Sequence, residues 1–323
     1  MTESPFAVYL LFLDRKITFF SYNSIVLGYR VTEAYSIHPD ELCEVIGGYD
    51  ALLCHSATKV TEDVVAAGDE RNLEIVASAT SGMDHVDIAA AEAAEITVCH
   101  TPFTVTQANA EYNISTLIAL SRNLRVATHQ VQEGGWDQQA VLGQEIGGRN
   151  LGIVGFGRIG KRTAQLANTF GMQVCAYDPY VDRIVFEQQG VEQAALDDLM
   201  IKSDYVVVQV PRTPETTGMI GERELSLMRT GGYLVQVLRG SVVAESPMII
   251  ALRNGHLAGT AVDVFENEPH VNPELRQFAR DGGNVILTPH IGCSTQDSGR
   301  RAGMSALGEL DRYFTGGRDC NIR

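Results

Sequence analysis

Missing from the sequence is any pair of cysteines at redox or metal spacing. Its six cysteines are scattered, at positions 43, 54, 99, 175, 293 and 320, without a CxxC or the Cys/His spacing of a zinc site, so no metal is expected. Cys54, Cys99 and Cys175 sit in apolar runs and read as small buried hydrophobes. Scattered thiols point to a reducing compartment, the cytoplasm. Basic residues are also scarce: 25 Lys and Arg stand against 40 Asp and Glu, a net charge of −15, and no run of Lys or Arg offsets it. Such a surface repels phosphate backbones, which excludes nucleic acid and anionic membranes as partners. Long apolar runs are lacking too. The stretch from Phe6 to Leu13, ended by Asp14-Arg15-Lys16, is too short to span a bilayer, shows neither basic leader nor cleavage site, and reads as a strand. Internal repeats and low-complexity tracts are not found.

What is present is the composition of a globular protein, 45% hydrophobic and 20% charged. A chain of 323 residues exceeds the size of one core, so two domains are expected. Short apolar runs alternate with longer amphipathic ones, the signature of βα units and parallel sheets. Strands are expected at Phe6–Leu13, Val31–Tyr35, Ala51–His55, Glu74–Ala77 and Ile96–Cys99. The span from Arg15 to Gly28 fits neither pattern. A helical pattern covers Gln107 to Leu124, and a Gly-rich link, Gly143 to Gly148, follows. The βα rhythm then restarts with Leu151–Val154, Val174–Tyr177, Tyr205–Gln209, Tyr233–Val237, Leu257–Val262 and Val285–Leu287, and ends in a helical stretch, Gln296 to Phe314.

The strongest local signal is Leu151-Gly152-Ile153-Val154-Gly155-Phe156-Gly157-Arg158-Ile159-Gly160. An apolar strand runs into Gly155-x-Gly157-x-x-Gly160 and a helix. Gly155 permits the turn, Gly157 lets a pyrophosphate approach the backbone, and Gly160 lets helix and strand pack closely. The helix start offers N–H groups and a positive dipole end to phosphates, and Arg158 adds a charge. The next strand ends in Asp178, 18 residues past Gly160, where a carboxylate accepts bonds from ribose hydroxyls. Asp178 would repel a 2′-phosphate, and Pro179 and Tyr180 follow it, so NAD is favoured over NADP, with Arg183 the nearest cation in sequence.

Three further segments follow predicted strands: Gln236 to Gly240, Asp263 to Pro269, and Thr288 to Gly292. Ligands bind at that edge of an open α/β sheet. Moving a hydride to or from an alcohol carbon requires a proton carrier, and His suits neutral pH. A carboxylate beside it orients the ring, and an Arg holds a carboxylate in a fork. The segments supply His290, Glu268 and Arg239. Taken alone, Arg239 reads as a surface residue beside a turn glycine, and His290 as a satisfied, partly buried histidine. Glu266 reads as solvated, His85 as a helix cap and His100 as structural.

Together these motifs resemble the D-isomer-specific 2-hydroxyacid dehydrogenases, over about residues 50 to 315. The resemblance rests also on Ser56-Ala57-Thr58-Lys59-Val60-Thr61, Gly82-Met83-Asp84-His85-Val86-Asp87, Gly134-Gly135-Trp136, Arg239-Gly240, Glu268-Pro269 and Pro289-His290-Ile291-Gly292. It implies an α/β fold of two Rossmann-like domains: a flavodoxin-like substrate domain, 1–102 with 293–323, and a doubly wound dinucleotide domain, 103–292. It further implies NAD as cofactor, a small 2-oxo or 2-hydroxy acid as substrate, and a homodimer joined through the cofactor domains. Arg239 and the N–H groups of the Ser81-Gly82 turn would hold the substrate carboxylate. His290 would carry the proton, supported by Glu268, and Asp263 would meet the nicotinamide carboxamide. Ile159, Pro211, Thr216 and Val237 join Gly155, Gly157, Arg158, Gly160 and Asp178 along the cofactor.

Departures from the family pattern stand at Gln236 (usually Asn), Leu238 (usually small), Ala244 (often Asp) and Asn109 (usually aliphatic). Phosphoglycerate dehydrogenases carry Arg where His55 stands, and some carry another where Ser78 stands. An unphosphorylated acid is therefore expected, with Lys59 the remaining cation of that loop. The alternatives are a phosphoglycerate- or erythronate-4-phosphate-type dehydrogenase and, in a different class, a non-catalytic NAD(H) sensor of the same fold. Glu268 in place of Gln disfavours formate.

Overall fold

The computed structural model describes residues 9–12, 29–34, 37–69 and 72–316. The span Arg15–Gly28, the outer residues of the expected first strand, Tyr35 and Cys320 lie outside the described residues. The chain divides into two units, one running to Val105 and resuming at Ser294, the other Thr106–Cys293.

In the first unit, β1 (Tyr9–Phe12), β2 (Arg30–Glu33), β3 (Ala51–Cys54), β4 (Ile75–Ser78) and β5 (Thr97–His100) form one sheet in the order β2-β1-β3-β4-β5, all pairs parallel. This is the flavodoxin-type order. Successive strand residues point to opposite faces. Leu52, Cys54, Val76 and Val98 pack with Leu42, Ile46, Val64 and Ala91 on one side; Ala51, Leu53, Ile75 and Ala77 pack with Ala302, Ala306, Leu307 and Leu310 on the other. Burial on both faces is why these strands read as continuous apolar runs. The second set of partners comes from the helix Gln296–Thr315, which returns to this sheet after the chain has built the other unit.

The second unit holds β6 (Asn150–Val154), β7 (Gln173–Tyr177), β8 (Glu192–Gln193), β9 (Tyr205–Val208), β10 (Gly232–Gln236), β11 (Leu257–Val262) and β12 (Val285–Leu287). Their order is β12-β11-β10-β9-β6-β7-β8, again parallel throughout. Counted within the unit this is the doubly wound order 3-2-1-4-5-6 with one strand added, and the order reverses between β6 and β9. Val154, Val206, Leu234 and Val262 face Leu199, Met248 and Leu252; Ile153, Val207, Val235 and Ala261 face Leu117, Leu120, Ala164 and Phe186.

The helix expected over Gln107–Leu124 is in fact two. The first, Thr106–Ser121, stops before Asn123, whose φ of 50° is left-handed, and a second runs Leu124–Gln132. That second helix has no fully buried residue. No helix among the described residues is long and apolar enough to cross a membrane.

Candidate active site

The glycine turn after β6 behaves as three different glycines. Gly155 has φ +98°, and a Cβ there would lie 2.5 Å from the Gln209 carbonyl oxygen. At Gly160 a Cβ would lie 2.2 Å from the Gly155 carbonyl oxygen, which fixes the close approach of the helix Arg158–Thr169 to the strand. Gly157, by contrast, faces open space: nothing lies within 4 Å of its Cβ position. The turn is packed on its inner side and bare on the outer one, where the first helical turn presents its N–H groups. That cradle fits a dinucleotide pyrophosphate. Asp178, following β7, is tied to the turn. Its Oδ2 accepts the Phe156 N–H at 2.8 Å and its Oδ1 the Tyr180 N–H at 3.0 Å, and each oxygen keeps a second lone pair for a ribose hydroxyl. Thr216 donates its hydroxyl to the Pro211 carbonyl at 2.6 Å, closing the loop after β9. Arg158 is exposed and Ile159 half-buried at the helix start, while Val237 is buried.

Beyond the ends of β10, β11 and β12, three neighbouring strands, lie Arg239, Glu268 and His290. His290 Nδ1 stands 3.0 Å from Glu268 Oε2. Glu268 Oε1 accepts the Phe265 N–H at 3.0 Å, so the carboxylate is anchored by one oxygen and presents the other to the ring. A carboxylate only accepts; the proton between them therefore sits on Nδ1, and Nε2 is left for other chemistry. Both side chains are partly exposed, 45% and 37%, as groups that meet a ligand must be. His290 has φ +53°, an uncommon conformation for a side-chain-bearing residue.

Asp263 is what holds that backbone. It is fully buried and takes the Thr288 hydroxyl at 2.6 Å and the Ile291 N–H at 2.8 Å on Oδ1, and the Gly292 N–H at 2.7 Å on Oδ2. Its carbonyl accepts the His290 N–H at 2.9 Å. Thr288 in turn accepts the Tyr112 hydroxyl at 2.5 Å, since its own proton is given to Asp263. Burial raises the Tyr112 pKa, the Thr288 bond opposes the rise, and the nearby Asp263 charge adds to it. Asp263 thus clasps the residues on either side of His290. Sequence reasoning reached Thr288 only as the start of its segment and missed Tyr112, whose partner lies 176 residues away along the chain.

Arg239 is half-buried, and its guanidinium donates to the Leu238 carbonyl at 2.8 Å. Gly240 cannot be anything else: a Cβ would lie 1.9 Å from the Phe265 carbonyl oxygen, which sets the Arg239 turn against the segment bearing Glu268. The Gln236 amide nitrogen donates to the Arg239 carbonyl at 3.1 Å, and its buried oxygen has no partner among the described residues. Gln236 thus braces Arg239 from behind. Glu266, expected as a solvated carboxylate, is exposed but engaged: it accepts the Glu245 N–H at 2.9 Å, while Glu245 accepts the Glu266 N–H at 2.9 Å.

Ser81 and Gly82 lie in the first unit, in the turn after β4, both half-buried. Among the described residues neither N–H has an acceptor. His85 does not cap the following helix; Asp87 does. His85 is instead buried, with Nε2 2.9 Å from the Ser78 hydroxyl, and burial followed by the His55 and Lys59 charges lowers its pKa to about 4. Among the described residues no group of three or more His, Cys, Asp or Glu is arranged to hold a metal.

Residues 114–292 match the model of the NAD-binding domain of D-isomer specific 2-hydroxyacid dehydrogenases. A D-3-phosphoglycerate dehydrogenase of Mycobacterium tuberculosis is 38% identical over 264 residues, 82% of this chain and 49% of its own length. The chain spans about half the length of the curated relatives it matches. Among solved structures, a glyoxylate reductase from Paecilomyes thermophila is 26% identical with a TM-score of 0.84, covering 97% of each chain. A D-2-hydroxyisocaproate dehydrogenase, 23% identical over 96% of this chain and 97% of its own, shares the fold with a TM-score of 0.88. With its parallel doubly wound sheet, its bare glycine cradle and this family match, the chain belongs to the D-isomer specific 2-hydroxyacid dehydrogenases, and residues 114–292 are its NAD-binding domain.

Proposed function

We propose that the protein reduces a small, unphosphorylated 2-oxo acid to its 2-hydroxy acid, and catalyses the reverse, with NAD(H). The observation that carries this reading is the 3.0 Å pair of His290 Nδ1 and Glu268 Oε2 beside Arg239, at the strand ends of the NAD-binding unit. Bound NADH supplies the hydride. Arg239 holds the substrate carboxylate and draws charge from the 2-oxo group. Glu268 keeps the imidazole oriented and favours its protonated form, so that Nε2–H gives a proton to the substrate oxygen in reduction and neutral Nε2 takes it back in oxidation. Asp263 and Gln236 hold the two turns rigid, so little reorganisation is left for the transition state.

The reading of an unphosphorylated substrate is supported by Ser78, which is fully buried and bonded to Thr80 and His85, and by His55, whose ring bonds Ser56 at 3.0 Å. A phosphate with nearly two charges seeks paired cations, and Lys59 stands alone among these positions. The curated relatives favour the opposite reading by name. The deciding test is kcat/KM with NADH for glyoxylate, pyruvate and hydroxypyruvate beside 3-phosphohydroxypyruvate. We expect the unphosphorylated acids to lead; a clear preference for the phosphorylated acid reverses the assignment, and NADH binding without turnover of any acid points to an NAD(H) sensor.

A homodimer completes the proposal. It is supported by Leu124, Val131, Trp136 and Leu142 of the second unit, exposed by 50%, 54%, 80% and 73%. Scattered thiols, of which Cys54, Cys99 and Cys175 are buried, fit a cytoplasmic setting.

A further inference from the structure

In the second sheet β6, β9 and β10 lie side by side and, being parallel, start at one edge. The glycine turn, Arg239 and His290 all follow strand ends, at the opposite edge. At the starting edge lies a cavity of about 170 Å³, and residues at the three strand starts line it: Arg149, Asp204 with Tyr205, and Arg229 with Tyr233. None of them takes part in the reaction proposed above. The walls are built. Tyr205 and Tyr233 are register partners and stack, with ring centroids 5.0 Å apart and planes 10° from parallel. Ser121 Oγ gives its proton to the Gln144 carbonyl at 2.8 Å, so the Tyr205 hydroxyl donates to Ser121, also at 2.8 Å. The Gln144 N–H returns to the Ser121 carbonyl at 2.8 Å and clamps that wall to the end of the helix Thr106–Ser121. On the other wall, Asp204 Oδ2 accepts the Asn150 N–H at 2.9 Å, and Oδ1 accepts from Arg229 Nη1 at 3.2 Å. Arg229 Nε donates to the Ile201 carbonyl at 3.3 Å.

Three donors are left over. Tyr233 is only 5% exposed, yet among the described residues its hydroxyl has no hydrogen-bond partner. Among the same residues the Arg149 guanidinium has none either, and Arg229 keeps Nη2. Arg149 lies close enough for its charge to act on the tyrosine: burial raises the Tyr233 pKa, Tyr205 adds to the rise, and Arg149 opposes it. A buried hydroxyl without an acceptor is costly, and a carboxylate is the group that accepts from a hydroxyl and a guanidinium together. Arg149 and Arg229 against Asp204 leave the cavity a net positive charge, on a chain whose overall charge is −15.

We infer that this cavity binds a short dicarboxylic acid: one carboxylate accepts from the Tyr233 hydroxyl and Arg149, the other from the remaining nitrogen of Arg229, and the carbons between them face the tyrosine pair. The volume suits such a ligand, since it holds about five waters at ~30 Å³ each. The site and the nucleotide turn sit at opposite edges of one sheet, so the acid and NADH bind together and neither displaces the other.

The test is titration calorimetry of the full chain with succinate at fixed ionic strength, with and without saturating NADH. We expect a single succinate per chain, with an affinity that NADH changes by less than about twofold. Arg149→Gln and Tyr233→Phe should each weaken succinate about tenfold or more, the scale of a hydrogen bond to a charged group, while NADH affinity holds. Arg149 is exposed, so its variant carries the test even if Tyr233→Phe does not fold. Acetate and inorganic phosphate, titrated in the same way, should bind about tenfold more weakly or worse. Phosphate bound as tightly as succinate shows a site for any oxyanion and overturns the dicarboxylic acid. Absence of succinate binding, binding unchanged in Arg149→Gln, or succinate displaced by NADH overturns the site. Succinate lost in Arg239→Gln but kept in Arg149→Gln places the ligand at the other edge and overturns it as well.

Discussion

In the proposed reaction, His290 and Glu268 would divide the proton work between two ring nitrogens: Nδ1 lies 3.0 Å from the carboxylate, and Nε2 would act on the substrate. His290→Ala should lower kcat by about 10²–10⁴, the usual scale for losing a general acid, with NADH binding intact. Glu268→Gln should move the fastest reduction to lower pH, because a neutral amide no longer favours the imidazolium; rate profiles of the two variants check both effects. Asp178 predicts that NADH is preferred over NADPH by about tenfold or more in kcat/KM, since a 2′-phosphate beside a carboxylate costs ~1.4 kcal/mol or more; equal efficiency would remove that role. His85 makes a stability prediction. Its folded pKa, about 4, lies below the ordinary histidine value, so the neutral form favours folding. That contribution is whole above about pH 6.5 and is lost as pH falls towards 4, up to ~3 kcal/mol. Urea midpoints of His85→Gln should therefore fall less steeply than wild type between pH 7 and 4.5. Of these residues, His290, Glu268, Arg239 and Asp178 were legible because they follow apolar runs at strand ends. Gln236 and Asp263 were visible as positions, but their partners were not: the donors to Asp263 arrive from residues 288 to 292, and only the folded sheet sets β12 beside β11.

At the scale of elements, the glycine turn separates folding from binding. Gly160→Ala drives a methyl into the Gly155 carbonyl and should destabilise the unit by a few kcal/mol, as overpacking does. Gly157→Ala meets nothing, and its φ of −73° suits alanine, so its thermal midpoint should hold. A methyl on the bare face nonetheless stands where the pyrophosphate must approach, and NADH affinity should drop about tenfold or more. Calorimetry of the two variants reads both quantities. Strands were legible from composition because parallel strands buried on both faces are apolar throughout. The break before helix Leu124–Gln132 was not, because only the left-handed Asn123 interrupts a pattern that otherwise continues from the preceding helix. That Gln296–Thr315 packs on the first sheet was not readable from its own amphipathic pattern; the pattern says that one face is covered and leaves open by what.

For the whole molecule, the exposed apolar side chains between Leu124 and Leu142 predict a dimer in solution. Trp136→Glu should shift light scattering from twice the chain mass towards the monomer while leaving the fold's circular dichroism unchanged. The net charge of −15 predicts that added salt raises the affinity for an anionic acid only slightly, since long-range repulsion is screened within about 10 Å at 0.1 M. In the proposed reaction, charge of this sign places the burden of carboxylate capture on a local group, Arg239. The central claim, that this group and His290 serve a D-specific 2-hydroxyacid dehydrogenase, is tested most directly by the product. Purified protein is incubated with NADH and each unphosphorylated 2-oxo acid, and the 2-hydroxy acid formed is resolved by chiral chromatography against NADH consumed. The account predicts the D enantiomer alone, one molecule for each NADH oxidised; an L or racemic product, or no hydroxy acid from any of the acids, would contradict it.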